Sequence, residues 1–139
     1  MIRDISIVIP IYNEQDNIIQ LIKEVRASLE KKINYEIIIV DDGSDDNTYE
    51  VVNKINKINK NINIISTKKN YGQSIGLRTG SIEANSEYIV TLDGDGQNDP
   101  RDILKLIKPF DSKVSFMMVI GNRVNRIDTA AKKVASRLA

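Results

Sequence analysis

The chain has 139 residues, 41% of them apolar, which is one domain with a single core and too little for two. Its net charge of +1, without a long run of either sign, gives no electrostatic reason to expect DNA or RNA as a partner. With no cysteine and no histidine, disulfides, thiol catalysis and thiolate zinc sites are excluded, and any metal must be held by oxygen atoms, which suits Mg²⁺, Mn²⁺ or Ca²⁺ rather than Zn²⁺.

In chain order, short apolar runs alternate with longer amphipathic segments, the pattern of βα units around a mostly parallel sheet. Ile5 to Ile9 is a first strand, stopped by Pro10. Asn13 is expected to cap a helix with Ile18, Ile22, Val25 and Leu29 on one face. Tyr35 to Val40 is a second strand, too continuously apolar to have a wet face. Val51, Val52, Ile55 and Ile58 mark a second helix and Ile62 to Ser66 a third strand. A loop around Asn70-Tyr71-Gly72 leads to a helix over Ser74 to Ala84, then a strand over Tyr88 to Leu92. Asp99 reads as an N-cap with Pro100 at the first helical position, the helix running to about Lys108. Ser115 to Ile120 is a fifth strand, and Thr129 to Leu138 a short helix with Ala130, Val134 and Leu138 on one side. From Asn122 onward five cations (Arg123, Arg126, Lys132, Lys133, Arg137) face a single Asp128, a local +4 that can approach an anionic surface. The chain begins on a strand-like run rather than a signal peptide, and no apolar stretch approaches the roughly 20 residues of a membrane span, so a soluble piece is expected.

Ligands of open parallel sheets bind beyond the carboxyl ends of the strands, where loops and helix N-termini converge. The unusual residues fall there: Pro10 to Glu14 after the first strand, Asp41-Asp42-Gly43-Ser44 after the second, Asn70-Tyr71-Gly72 after the third, Asp93-Gly94-Asp95-Gly96-Gln97 after the fourth and Gly121-Asn122-Arg123 after the fifth. Asp93 and Asp95 repel each other unless one is protonated or a cation bridges them, and Gln97 adds a neutral oxygen. An ordinary solvated acidic turn uses the same residue types. Asp41 can accept a hydrogen bond from a base ring N–H, or Asp41-Asp42-Gly43-Ser44 can be a turn and helix cap. Arg123 can meet a phosphate or stay solvated, and Tyr12 can stack on a base or pack. An EF-hand loop fails, because its sixth and twelfth positions are Asn98 and Leu104. A dinucleotide fingerprint fails, because Pro10 to Asn13 stands where its glycines belong. A phosphatase with Asp93 as nucleophile and Asp95 as acid leaves Asp41 and Pro10 unexplained.

Taken together, Ile7-Val8-Ile9-Pro10-Ile11-Tyr12-Asn13-Glu14, Ile39-Val40-Asp41-Asp42-Gly43-Ser44-Asp45-Asp46-Asn47-Thr48, Asn70-Tyr71-Gly72, Arg78-Thr79-Gly80 and Asp93-Gly94-Asp95-Gly96-Gln97-Asn98-Asp99-Pro100 resemble the family-two glycosyltransferases of GT-A fold, especially the polyisoprenyl-phosphate sugar transferases. The resemblance implies an α/β, Rossmann-like GT-A sandwich over residues 1–139, C-terminally truncated, with 122–139 beginning a basic, membrane-facing region. It implies transfer of a sugar, with inversion, from a UDP- or GDP-sugar to a polyprenyl phosphate at the cytoplasmic face of a membrane. Pro10, Tyr12 and Glu14 would line the nucleotide pocket and Asp41 would bind the base. Asp93, Asp95 and Gln97 would hold Mg²⁺ or Mn²⁺ against the diphosphate, with Gly94 approaching the nucleotide through its backbone. Asp95 and Arg123 would serve the chemical step, and Arg123 and Arg137 would meet donor or acceptor phosphates. Two departures stand out. Asp99-Pro100-Arg101-Asp102 replaces the proline and glutamate that follow the metal motif in many relatives, and the family's core domain continues past residue 139. The latter leaves a non-catalytic nucleotide-sugar-binding fragment as the alternative to an enzyme.

Overall fold

The computed structural model describes residues 4–111 and 118–121. Four strands, β1 (Asp4–Ile11), β2 (Asn34–Asp41), β3 (Ile62–Ser66) and β4 (Ile89–Thr91), form one sheet in the order β3-β2-β1-β4 with every pair parallel. Between them run α1 (Ile18–Leu29), α2 (Thr48–Asn56) and α3 (Gln73–Ile82). A 3₁₀ turn, Pro100–Asp102, leads into α4 (Ile103–Ile107), and a second, Lys108–Asp111, follows it.

The strand order carries a consequence for the helices. The first two crossovers step one way along the sheet, while the third returns past β1 to place β4 on its far side. Right-handed crossovers in opposite directions put their helices on opposite faces. Accordingly, Ile5, Ile7, Ile9 and Ile11 of β1 pack with Ile37 and Ile39 of β2 against Ile18, Leu21, Ile22, Val25 and Leu29 of α1, Val52 of α2, and Ile103 and Ile107 of α4. The alternate residues Val8, Ile38 and Val40 point to the other face, against Leu77 of α3 and Ala84 just past it. Both faces of β1 and β2 are therefore buried, which is why those strands read as unbroken apolar runs. On the second face α3 lies unusually close: a Cβ on Gly80 would stand 2.4 Å from Val8 Cγ1, and one on Gly76 would stand 2.9 Å from Pro10 Cβ.

Several boundaries differ from expectation for physical reasons. Pro10 does not end β1, which continues to Ile11, with Pro10 opposite Val40. Ser6 donates to Tyr88 O and Val8 accepts from Leu92 N on the β4 side, so Pro10, on the same parity, turns its hydrogen-free nitrogen to that side, past the last β1–β4 pair, Val8–Thr91. Asn13 is not a helix cap. It sits at φ 56° in the left-handed region, and α1 begins at Ile18 after a turn in which Glu14 O accepts from the Asn17 and Ile18 amides. Helix α2 ends at Asn56, so Ile58 lies beyond it and is 81% exposed. The predicted cap at Asp99 is present, its carboxylate accepting from Arg101 N at 2.9 Å, but the segment it opens is a 3₁₀ turn before α4. Of the expected fifth strand, Met118–Ile120 carries no strand and 115–117 lie outside the described residues, as does the helix expected over 129–138. Among the described residues no helix is long and apolar enough to cross a membrane.

Candidate functional site

Between β1 and β4 the strand order reverses, and the space beyond the carboxyl ends of the strands at such a point is where open α/β sheets bind ligands. A cavity of about 400 Å³ opens there, lined by Pro10, Ile11, Tyr12 and Glu14 from β1 and its loop, Asp42, Asn70, Gly72 and Gln73 from the β2 and β3 ends, and Asp93, Gly94 and Asp95 after β4. Six residues expected at the site, Pro10, Tyr12, Glu14, Asp93, Gly94 and Asp95, thus share one cavity. Gly94 lies across the end of β1, where a Cβ would stand 2.5 Å from Ile11 Cγ2 and 3.1 Å from Pro10 O, so only glycine lets the acidic turn fold onto that strand.

The two carboxylates of the turn are held differently. Asp93 accepts from Gln73 Nε2 at 2.8 Å on one oxygen and from Asn98 Nδ2 at 3.1 Å on the other. Asp95 Oδ1 accepts from Gln97 N at 3.0 Å, closing a short turn of its own. The side of the turn that carries Gln97 lines a second cavity, of about 470 Å³, with Gly96, Asn98, Asp99, Pro100 and Arg101 against Glu24, Ala27 and Ser28 of α1. Gln97 is therefore displaced from the cavity that Asp93 and Asp95 share. Among the described residues no three carboxylates converge into a cation cage. Two carboxylates beside an open, polar-rimmed cavity nevertheless fit Mg²⁺ or Mn²⁺, which bind through one or two carboxylates and take their remaining oxygens from water and phosphate.

The pair at the end of β2 splits by the alternation of the strand. Asp41, 1% exposed, turns inward: Oδ1 accepts from Ser44 N at 3.1 Å and Ser44 Oγ at 2.5 Å, and Oδ2 from Ser66 Oγ at 3.3 Å. It lies beneath the rim and is not part of the cavity wall, whereas its neighbour Asp42 is. Asp42 ties down the loop before α3. It accepts from Thr67 Oγ1 at 3.1 Å, from Tyr71 N at 3.0 Å and from Gly72 N at 2.6 Å. Neither Asp42 nor Gln73 was singled out as a site residue from sequence. Their partners lie 20 or more positions away, so no local spacing signals them.

A relay of side chains fixes the rim between β1 and β2. The Ser44 hydroxyl that donates to Asp41 accepts from Asn13 N at 2.9 Å, and Asn13 Oδ1 accepts from Asp45 N at 3.0 Å. The Thr48 hydroxyl donates to Asp46 and accepts from Glu14 N at 2.9 Å, while Gln15 N donates to Asp46 Oδ2 and Gln15 Oε1 accepts from Asn47 N. Burial pushes the Asp46 carboxyl up, but the hydrogen bonds from Thr48, Gln15 and its own backbone outweigh it and hold the group below the ordinary aspartate range. The left-handed Asn13 and this network carry Tyr12, 43% exposed, and Glu14 at the cavity wall. Arg123 and Arg137 lie outside the described residues.

The family model for glycosyl transferase family 2 matches residues 6–137. The chain belongs to that family. It is 34% identical over 139 residues to an undecaprenyl-phosphate 4-deoxy-4-formamido-L-arabinose transferase of Photorhabdus laumondii, and 37% identical to the transferase of the same name in Yersinia pestis. In each case the match covers 99% of this chain and 42% of the relative, so the chain spans under half the length of these relatives. Among solved structures, a mannosyltransferase of Pyrobaculum calidifontis in complex with GDP-Man and Mn²⁺ shares the fold, with a TM-score of 0.66 and 22% identity over 75% of this chain and 31% of that one. S. aureus TarS in complex with UDP-GlcNAc superposes with a TM-score of 0.64 and 26% identity, covering 77% of this chain and 30% of that one. The family-two domain thus has the parallel α/β core expected of GT-A glycosyltransferases.

Proposed function

We propose that this chain is the donor-binding part of a metal-dependent glycosyltransferase that moves a sugar from a UDP- or GDP-sugar to a polyprenyl phosphate with inversion. The observation that carries the reading is the convergence of Asp93 and Asp95 with Pro10, Tyr12 and Glu14 around one cavity at the point where the strand order reverses. The matched relatives are named for transfer to undecaprenyl phosphate, which supports a lipid-phosphate acceptor and contact with a membrane surface.

In this reading Pro10 and Tyr12 bound the nucleoside end of the cavity, and Asp41, anchored on Ser44 and Ser66 beneath the rim, holds the end of β2 beside them. Asp93 and Asp95 are the residues that would hold a divalent cation. A cation held there would supply Lewis-acid stabilisation of the departing nucleoside diphosphate. Arg123 and Arg137 would complement the phosphates, since a guanidinium offers a fork of donors. A phosphate oxygen of the acceptor attacks the anomeric carbon from the side opposite the nucleoside diphosphate, whose bond breaks as the new one forms. That oxygen is already ionised near neutral pH, so no strong base is required of a chain that lacks histidine.

The test is transfer itself. The chain is incubated with Mn²⁺, polyprenyl phosphate and radiolabelled UDP- and GDP-sugars in turn, and the organic phase is counted. Label in the lipid phase with one donor class, lost on Asp95→Ala, is the expected result. A chain that binds a nucleotide-sugar with Mn²⁺ but yields no labelled lipid would instead be a non-catalytic binder.

A further inference from the structure

We infer that Gln73 is a positioning residue for the cation site, holding the Asp93 carboxylate in the orientation that lets it act with Asp95. The inference rests on the donor-diphosphate reading and assigns a part to a residue outside the acidic turn. Gln73 is the first residue of α3, and its amide Nε2 donates to Asp93 Oδ1 at 2.8 Å across the cavity that both residues line. Asn98 Nδ2 meets the other oxygen at 3.1 Å, so the carboxylate is gripped from two separate elements and its plane is fixed. The grip is only as good as its anchor, and the anchor of Gln73 is firm. Its two preceding backbone amides, those of Tyr71 and Gly72, both donate to the buried Asp42. Two turns of α3 lie directly on β1 through Gly76 and Gly80. The helix start and the end of β1 therefore move as one body, and the side chain of Gln73 projects from that body onto Asp93.

The chemistry of the donor matters as much as its place. Each carboxylate oxygen has more than one lone pair, so an oxygen that accepts one amide hydrogen still has capacity to bind a cation. A neutral amide orients the carboxylate without adding positive charge beside the ion, which a lysine at this position would do. Partners of this kind around a metal ligand change metal affinity about 10- to 100-fold when removed.

The experiment titrates Mn²⁺ into the full chain in the presence of saturating UDP or GDP, following free Mn²⁺ by electron paramagnetic resonance. Nucleotide affinity in EDTA and urea unfolding are measured alongside. Gln73→Met, which keeps the length and loses the donor, is expected to weaken Mn²⁺ about 10-fold or more, with unfolding and metal-free nucleotide affinity close to wild type. Gln73→Lys keeps a donor to Asp93 but places a charge beside the cation, and is expected to fold and to bind Mn²⁺ no better than Gln73→Met. Wild-type Mn²⁺ affinity in Gln73→Met would overturn the inference, as would full recovery in Gln73→Lys. If wild type itself shows no nucleotide-linked Mn²⁺ binding, the donor-diphosphate reading fails, a result distinct from either of these.

Discussion

Asp42 allows a prediction in which two substitutions at one atom-for-atom position must differ. Its carboxylate is 3% exposed and receives three groups, the Tyr71 amide, the Gly72 amide at 2.6 Å and the Thr67 hydroxyl at 3.1 Å. Hydrogen bonds to a charged acceptor contribute about 1.5–3 kcal/mol each, but the loop they restrain is half-exposed, so water can satisfy part of what is lost. Asp42→Ala is expected to cost about 3 kcal/mol rather than the full sum. Asp42→Asn is different, because the amide can turn its oxygen to Tyr71 N and Gly72 N and its NH₂ to the Thr67 oxygen. That hydroxyl is free to accept, since it can donate to Lys69 O at 2.8 Å. The Gly72 and Thr67 contacts and the Tyr71 contact to the remaining oxygen survive at roughly half the strength of their charge-assisted forms, while the second Tyr71 contact is lost to the NH₂, for a cost of about 1.5 kcal/mol, half the Asp42→Ala figure. Equilibrium urea unfolding of the three proteins measures both numbers. Equal losses in the two variants, or a loss under about 1 kcal/mol in Asp42→Ala, would refute the assignment of Asp42 as the anchor of this loop.

Further expectations follow from packing and charge. Gly80→Val places a branched side chain where a Cβ alone already meets Val8 Cγ1 at 2.4 Å and Val40 Cγ2 at 3.1 Å. Overpacking of this kind costs about 1–3 kcal/mol and should lower the thermal midpoint, while unchanged stability would mean that α3 is not seated as described. Ile39→Ala, at a fully buried position in the larger core, should cost about 2–5 kcal/mol by the same assay, and a loss below that range would place β2 nearer the surface. At the opposite end of the sheet Glu36 accepts from Ser6 Oγ, Asn85 N and Asn85 Nδ2; burial pushes its carboxyl up, but these bonds outweigh it and hold it below the ordinary glutamate range. A depressed carboxylate stabilises the fold above its unfolded value and loses that contribution as pH falls through the folded one. Stability should therefore decline on acidification from the ordinary glutamate range downward, and Glu36→Gln should be less stable at neutral pH with a shallower acid decline. An acid limb identical to wild type would contradict this.

How much the sequence disclosed depended on whether a feature was local. The buried strands announced themselves because β1 and β2 are covered on both faces and so are apolar without interruption. The face of α1 was legible from the spacing of Ile18, Ile22, Val25 and Leu29, all of which are buried. Pro10 misled because the usual penalty of proline in a central strand vanishes where the neighbouring strand has already stopped. Asn13 looked like a cap because asparagine suits both caps and the left-handed region, and only its partners Ser44 and Asp45, more than 30 residues away, decide between them. The rim was predictable as a set of strand ends, but the division of labour on it was not. Adjacent Asp41 and Asp42 are indistinguishable until the pleat sends one inward and the other to the cavity wall, and Gln97 joins a different cavity from Asp93 and Asp95 because the turn closes on Asp95.

The central claim is that Asp93 and Asp95 hold a divalent cation against a nucleoside diphosphate. Calorimetric titration of UDP and GDP into the chain, with Mn²⁺ and with EDTA, and again with Asp95→Ala, tests it most directly. The account predicts that at least one of the two nucleotides binds with Mn²⁺, more weakly in EDTA, and that Asp95→Ala brings the Mn²⁺ value down to the EDTA value. Binding that is indifferent to metal, or no binding of either nucleotide by a folded sample, would contradict it.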